Sequence, residues 1–215
     1  MRLVGRCCAF VLLIWTGAVG ARSVVERWVV GHAPGRVVPL DSTPNVIDVG
    51  DRLWRGPAPG QDGYSELAEA GVSLVVDLRS EADLGRARII AERSGLELLA
   101  LPVDNARAPA AAHVELFADH YRAATGVTYI HCHAGEGRTG ALIGAYRVGR
   151  GQSVRDSVTD ALAVGSLTFS QLAYIASRGR LPLLAAALEW AVDRPTEMLF
   201  DMARSSNSSQ HSSDR

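Results

Sequence analysis

With 215 residues, of which 47% are hydrophobic, the chain is long enough for one domain with a substantial core. Its 22 basic and 23 acidic residues leave a net charge of -1, which excludes a global pull toward nucleic acid or an anionic membrane surface. Only Cys132 of the 3 cysteines lies in the body of the chain, which excludes an internal disulfide framework there.

The first 21 residues read as a signal peptide or a short membrane anchor. Arg2 and Arg6 flank an apolar run from Cys7 to Ala21, and Val19-Gly20-Ala21 offers small residues at a cleavage point. The run is shorter than the roughly 20 residues of a spanning helix. The expectation is a membrane-anchored or exported protein rather than a cytoplasmic one, with the first helix of a soluble protein as the alternative.

Residues 22–44 carry turn chemistry, as in Ala33-Pro34-Gly35 and Ser42-Thr43-Pro44, and read as a connector. A folded domain is expected over residues 45–195. Val46–Val49 and Leu53–Arg55 are short strand candidates around a Gly50-Asp51 turn. Residues 64–70 read as a helix ended by Gly71, and the β-branched run Val72–Val76 as a buried strand. A helix over 81–93, a strand over Leu96–Val103, a helix from Val114 with Phe117, Ala118 and Tyr121 in helical spacing, and a strand over Val127–His131 follow. After Thr139 helical spacing runs to about Arg194, broken near Gly149-Arg150-Gly151, Gly165-Ser166 and Gly179. The Ser-rich residues 204–215 read as a disordered tail. Strands alternating with helices, then a helical half, predict an α/β fold with a central, mostly parallel sheet flanked by helices.

The stretch His131-Cys132-His133-Ala134-Gly135-Glu136-Gly137-Arg138-Thr139-Gly140 carries the chemistry. A β-branched strand enters it and an amphipathic helix leaves it. Backbone N–H groups of a loop entering a helix lack intrahelical partners, and the helix dipole adds positive potential there, so this geometry cradles an anion. Gly135 and Gly137 let the backbone curl close to a ligand. Arg138 can grip two phosphate oxygens with its planar fork. The same field favours the Cys132 thiolate, which would be an in-line nucleophile toward phosphorus. Thr139 could hydrogen-bond the sulfur and stabilise it on leaving.

His131-Cys132-x-x-Gly135-x-x-Arg138-Thr139 resembles the signature of the protein tyrosine and dual-specificity phosphatase superfamily. Arg52–Pro57 and Val75–Ser80 resemble the N-terminal half of its compact members of the bacterial and phosphatase-and-tensin-like kind. The resemblance spans about residues 45–180. It implies a cysteine-phosphatase fold, with the phosphate-binding loop between strand and helix, and hydrolysis of phosphoric monoesters through a phosphocysteine. Phosphate would be held by His133, Ala134, Gly135, Glu136, Gly137 and Arg138, with no metal and no cofactor.

A leaving alkoxide needs a proton. Asp104, in Leu101-Pro102-Val103-Asp104-Asn105 and 28 residues before Cys132, is the candidate acid, in the position where the family carries its acid loop. A capping or solvated Asp is the alternative; Asp119 and Glu115 fall on a helix and are poorer. Thr168–Tyr174 is similar to the segment in which phosphatase-and-tensin-like enzymes carry a water-positioning Gln, so Gln171 is a candidate, with a surface helix Gln as the alternative. His131 is expected to orient the loop, and Asp77 to be structural. Arg55 and Arg79 read as structural salt-bridge partners before substrate ligands. Members that act on polyphosphorylated lipids carry Lys near His133 and Glu136, so the acid here argues for other substrates.

The expected partner is a phosphorylated protein or a small phosphomonoester, not nucleic acid, with membrane contact through the N-terminal segment. The favoured activity is that of a protein tyrosine or dual-specificity phosphatase. Competing readings are a phosphoinositide or inositol phosphate phosphatase, a phospho-binding pseudophosphatase and, from another class, a rhodanese-like sulfur transferase.

Overall fold

The computed structural model describes residues 35–177. Its centre is a six-stranded sheet built from β1 (Arg36–Val38), β2 (Val46–Asp48), β3 (Leu53–Gly56), β4 (Val72–Asp77), β5 (Glu97–Ala100) and β6 (Val127–His131), in the order β1-β2-β3-β6-β4-β5. The four strands β3, β6, β4 and β5 run parallel, and β1 and β2 extend the sheet antiparallel. Parallel neighbours need long crossovers, and helices α1 (Gln61–Glu69), α2 (Glu81–Arg93) and α3 (Ala111–Ala123) supply them. α4 (Gly137–Gly149), α5 (Val154–Val164) and α6 (Phe169–Ala176) complete the described chain. This is the α/β architecture, with a mostly parallel sheet flanked by helices, that the alternation of patterns implied.

The alternation of side chains along β4 explains the two layers. Leu74 and Val76 enter a core with Ile130, Phe117 and Leu142, on the side of α3 and α4. Val75 enters the opposite core with Tyr129, Tyr64, Leu67 and Ala87, on the side of α1 and α2. A register irregularity between Val72 and Leu74 returns Val72 to the face of Val75. Val148, Ala161, Leu167 and Ile175 close a smaller core among α4, α5 and α6.

Several boundaries differ from the sequence reading. β1 lies inside the stretch read as connector, because Val37 and Val38 pair with Ile47 and Val46. β5 ends at Ala100 rather than Val103; Pro102 has no N–H for a ladder. α1 begins at Gln61, three residues before the expected start.

The expected membrane-anchored or exported location is not upheld. Among the described residues no helix is long and apolar enough to cross a membrane, and the apolar segment over residues 1–21 lies outside them. The rest of the N-terminal reading up to residue 34, the helical reading over 178–194 and the tail over 204–215 also lie outside the described residues.

Register brings the site together. Gly56 pairs with His131, and His131 pairs with Asp77, so three neighbouring parallel strands end side by side. Open α/β sheets bind ligands at such carboxyl edges.

Candidate active site

Cys132 follows β6 directly and α4 begins five residues later. The loop between them hangs on the edges of its neighbours. Leu78 N–H donates to His131 O at 2.9 Å, and Ala58 N–H donates to His133 O at 3.0 Å. Gly135 has φ +77, and a Cβ there would meet the backbone of Gly56. Both the conformation and the space demand glycine.

Arg55 holds the loop from beneath. The residue is 2% exposed, and its guanidinium donates to Gly135 O at 3.0 and 2.6 Å and to Glu136 O at 2.9 Å. With these carbonyls drawn down toward a cation, the peptide N–H groups are turned the other way, as an anion cradle requires. Burial lowers the Arg55 pKa to about 10, against the opposing pull of Cys132 and Glu136. The expectation of a salt bridge for Arg55 is thus corrected: its partners are carbonyls some 80 residues further along the chain. Arg79 does form one, a two-pronged pair with buried Asp77 at 2.7–3.1 Å.

Cys132 is 4% exposed. Burial pushes its pKa up. The Thr139 hydroxyl, the charge of Arg138 and the backbone N–H groups of Thr139 and Gly135 outweigh burial, and the thiol titrates below its ordinary value. No side chain caps α4 at its N-cap residue, Glu136. Arg138 is anchored through Nη1 to Val103 O at 3.0 Å, and more weakly to Leu78 O at 3.4 Å. This couples the loop to the segment after β5.

His131 is fully buried. Its Nδ1–H donates to the Cys132 carbonyl at 3.1 Å, while Nε2 lies 3.7 Å from Asp77, too far for a hydrogen bond. Burial lowers its pKa to about 4; the Asp77 charge and the bond to the Cys132 carbonyl pull the other way, and the charges of Arg79 and Arg138 add to the lowering. Burial also acts to raise Asp77, but Arg79 and His131 hold its carboxyl below the usual range.

A cleft of about 220 Å³ opens over the loop, lined among others by Cys132, Glu136, Arg138, Asn105, Ser166 and Gln171. His133 and Ala134 stand exposed at its rim. Glu136 is half-buried and packs on Gly165, where a Cβ would fall 2.3 Å from Glu136 Cγ. Gln171 is 2% exposed, which rules out the surface-Gln alternative. Its Oε1 accepts from Thr168 N–H at 2.9 Å and its Nε2 donates to Arg107 O at 3.0 Å.

Asp104 is placed differently from its neighbours. Asn105 and Ala106 line the cleft, whereas the Asp104 carboxylate is 71% exposed and lies 3.6 Å from Arg107. Ala106 has φ +61, a left-handed conformation that costs a non-glycine residue about 1 kcal/mol. Asp119, the next acid considered, pairs with Arg122 on the exposed face of α3. The carbonyl-binding role of Arg55 and the contact of Thr168 with Ala106 escaped the sequence reading.

The family described as DSP-PTPase phosphatase fused to NAD+ kinase matches residues 37–177. No curated protein matches the chain. Among solved structures, Tk-PTP in its active form is 21% identical over 63% of this chain and 96% of its own, with a TM-score of 0.55. TpbA of P. aeruginosa, in complex with pTyr, is 22% identical over 72% of this chain and 98% of its own, with a TM-score of 0.54. PTPMT1 in complex with PI(5)P is 23% identical over 63% of this chain and 96% of its own, with a TM-score of 0.52. At these identities the likeness establishes the fold.

Proposed function

We propose that this chain, which belongs to the DSP-PTPase family of phosphatases, hydrolyses phosphotyrosyl or other singly phosphorylated protein side chains through a phosphocysteine on Cys132. The observation that carries this reading is the placement of Cys132 in the cleft with Arg138, on the loop that enters the helix whose first turn carries Arg138 and Thr139, groups that favour its thiolate. A thiolate at the floor of an anion cradle is a nucleophile aimed at the bound phosphorus.

In the first step the Cys132 sulfur forms a bond to phosphorus, and the bond to the leaving oxygen breaks. Asp104 gives that oxygen its proton. In the second step water attacks phosphorus, Asp104 takes a proton back, and the thiolate leaves with phosphate released. Arg138 and the loop N–H groups hold the phosphoryl oxygens throughout, and Gln171 orients the water. Gln171 uses one N–H on Arg107 O, which leaves it a second donor for this task.

Two observations support singly phosphorylated protein substrates. The chain contains no lysine, and Glu136 sets a carboxylate beside the cradle, where a second phosphate on the substrate would meet repulsion. Among proteins of similar fold, TpbA was solved with pTyr and PTPMT1 with PI(5)P, so both classes belong in the test. The domain of this reading includes β1, part of its sheet, and extends to about residue 195.

The test assays the purified full chain on phosphotyrosyl peptide, phosphoseryl peptide, PI(5)P and an inositol polyphosphate. Phosphotyrosyl peptide should turn over fastest, and Cys132→Ser should abolish turnover while still binding vanadate. Residual activity of that variant above about a thousandth of wild type would sink the covalent mechanism. A preference for the inositol compounds would replace the substrate assignment.

A further inference from the structure

The segment that carries Asp104 is clamped at both ends. At its start, Arg138 Nη1 donates to Val103 O at 3.0 Å. At its end, Thr168 Oγ1 donates to Ala106 O at 3.1 Å and Gln171 Nε2 donates to Arg107 O at 3.0 Å. The last two donors come from the N-terminal turn of α6, more than 60 residues away.

The role of the Thr168 hydroxyl follows from proton counting. A carbonyl only accepts, so the single hydroxyl proton goes to Ala106 O. The oxygen then accepts, from Gln171 N–H at 3.3 Å and from the Ser170 hydroxyl at 2.9 Å. One side chain thus caps α6 and ties down the residue with φ +61. An alanine held in a left-handed conformation relaxes when its restraint is removed. Relaxation at Ala106 would move Asp104, two residues before it.

We infer that Thr168 is a positioning residue for the proton transfer: it fixes the segment from Asp104 to Arg107 so that the Asp104 carboxyl reaches the leaving oxygen by turning its own side chain away from Arg107. A group that needs only a side-chain rotation is delivered at high effective concentration, whereas a free loop would scatter it. The inference rests on the reading of Asp104 as the acid.

The test separates capping from positioning. Glycine is nearly as good an N-cap as threonine but has no hydroxyl, so Thr168→Gly removes the tie to Ala106 and leaves α6 capped. Thr168→Ser keeps both functions. The measurement is kcat and KM on an alkyl phosphate, whose oxygen leaves poorly, and on a nitro-substituted phenyl phosphate, whose oxygen leaves well unprotonated. Thr168→Gly should lose about tenfold or more in kcat/KM, which reports only the first step, on the poor leaving group and little on the good one, with the alkaline limb of its pH profile flattened. Thr168→Ser should restore the wild-type pattern, and thermal melts should confirm folding of both variants. Equal losses on the two substrates, or none, would overturn the inference. Asp104→Asn in the same series keeps the two claims apart. If it too loses the same factor on both substrates, the acid assignment fails and the role of Thr168 falls with it. If it is selective and Thr168→Gly is not, only the role of Thr168 fails.

Discussion

A Cβ on Gly135 would lie 2.2 Å from the carbonyl oxygen of Gly56, so the anion-cradling loop rests directly on the end of β3. The contact is with backbone, which cannot swing aside, and φ +77 adds strain for any side chain. Gly135→Ala should therefore lower stability by roughly 2–3 kcal/mol and displace the cradle, with phosphate affinity and turnover both falling. Gly149 is the matched control. It ends α4, a Cβ there would meet nothing within 4 Å, and its φ is not positive, so Gly149→Ala should raise the melting temperature slightly. Urea unfolding of the two variants and vanadate titration check this pair.

Arg55 sets the opposite face of the same loop. Its fork serves the carbonyls of Gly135 and Glu136 together. A lysine offers one point charge and cannot reproduce that geometry. Arg55→Lys and Arg55→Met should both destabilise the protein, Met by about 2–4 kcal/mol because buried carbonyls lose charged donors. Turnover should fall far more than the loss of folded fraction explains, because the cradle loses its orientation. Equal turnover per folded molecule in Arg55→Met and wild type would show that the loop holds its shape unaided.

The parts of the fold and site legible in the sequence are those that repeat locally. The run into Cys132, the glycine-spaced loop and the following helix share one stretch of chain, and β4 and α2 announced themselves by β-branching and helical spacing. What stayed hidden depends on distant partners. Nothing near Arg55 shows that its acceptors lie 80 residues on, and nothing near Thr168 shows the carbonyl of Ala106. The three-residue strand β1 has too little pattern to read and exists because β2 offers it an edge. The outward turn of Asp104 depends on Arg107 and on an unusual φ two residues later. The membrane reading came from composition over residues 1–21 alone, and no described helix supports it.

Acid should unfold the protein in two stages. Burial holds His131 at about 4, below the 6.5 or so of an exposed histidine. Between these values the unfolded chain binds the extra proton and the folded one does not, so stability falls as pH drops through this window. The difference is worth up to about 3 kcal/mol. Asp77 has a depressed pKa, so its contribution is intact above the unfolded carboxyl value and is lost at lower pH, as the folded carboxyl protonates. Melting temperatures from pH 7 to pH 3 should show both stages. His131→Asn, which keeps a donor for the Cys132 carbonyl without a titrating group, should flatten the first.

The Thr139 hydroxyl is buried, without a conventional hydrogen-bond partner among the described residues, and it favours the Cys132 thiolate. Thiolate alkylates and thiol does not, so the pH dependence of iodoacetamide labelling reads the Cys132 pKa directly. Wild type should show a midpoint below that of an ordinary cysteine. Thr139→Val keeps the volume and removes the donor, so its midpoint should move up, while Thr139→Ser should stay near wild type. The acidic limb of kcat/KM should move up with the labelling midpoint, since only the thiolate attacks phosphorus. Arg138→Lys separates charge from geometry: it keeps a cation near the sulfur, so labelling should shift little, yet turnover should collapse because the fork that grips two oxygens is gone. If Thr139→Val leaves both the labelling midpoint and the acidic limb in place, the hydroxyl only fills space, and the depressed thiol owes its state to Arg138 and the backbone donors alone.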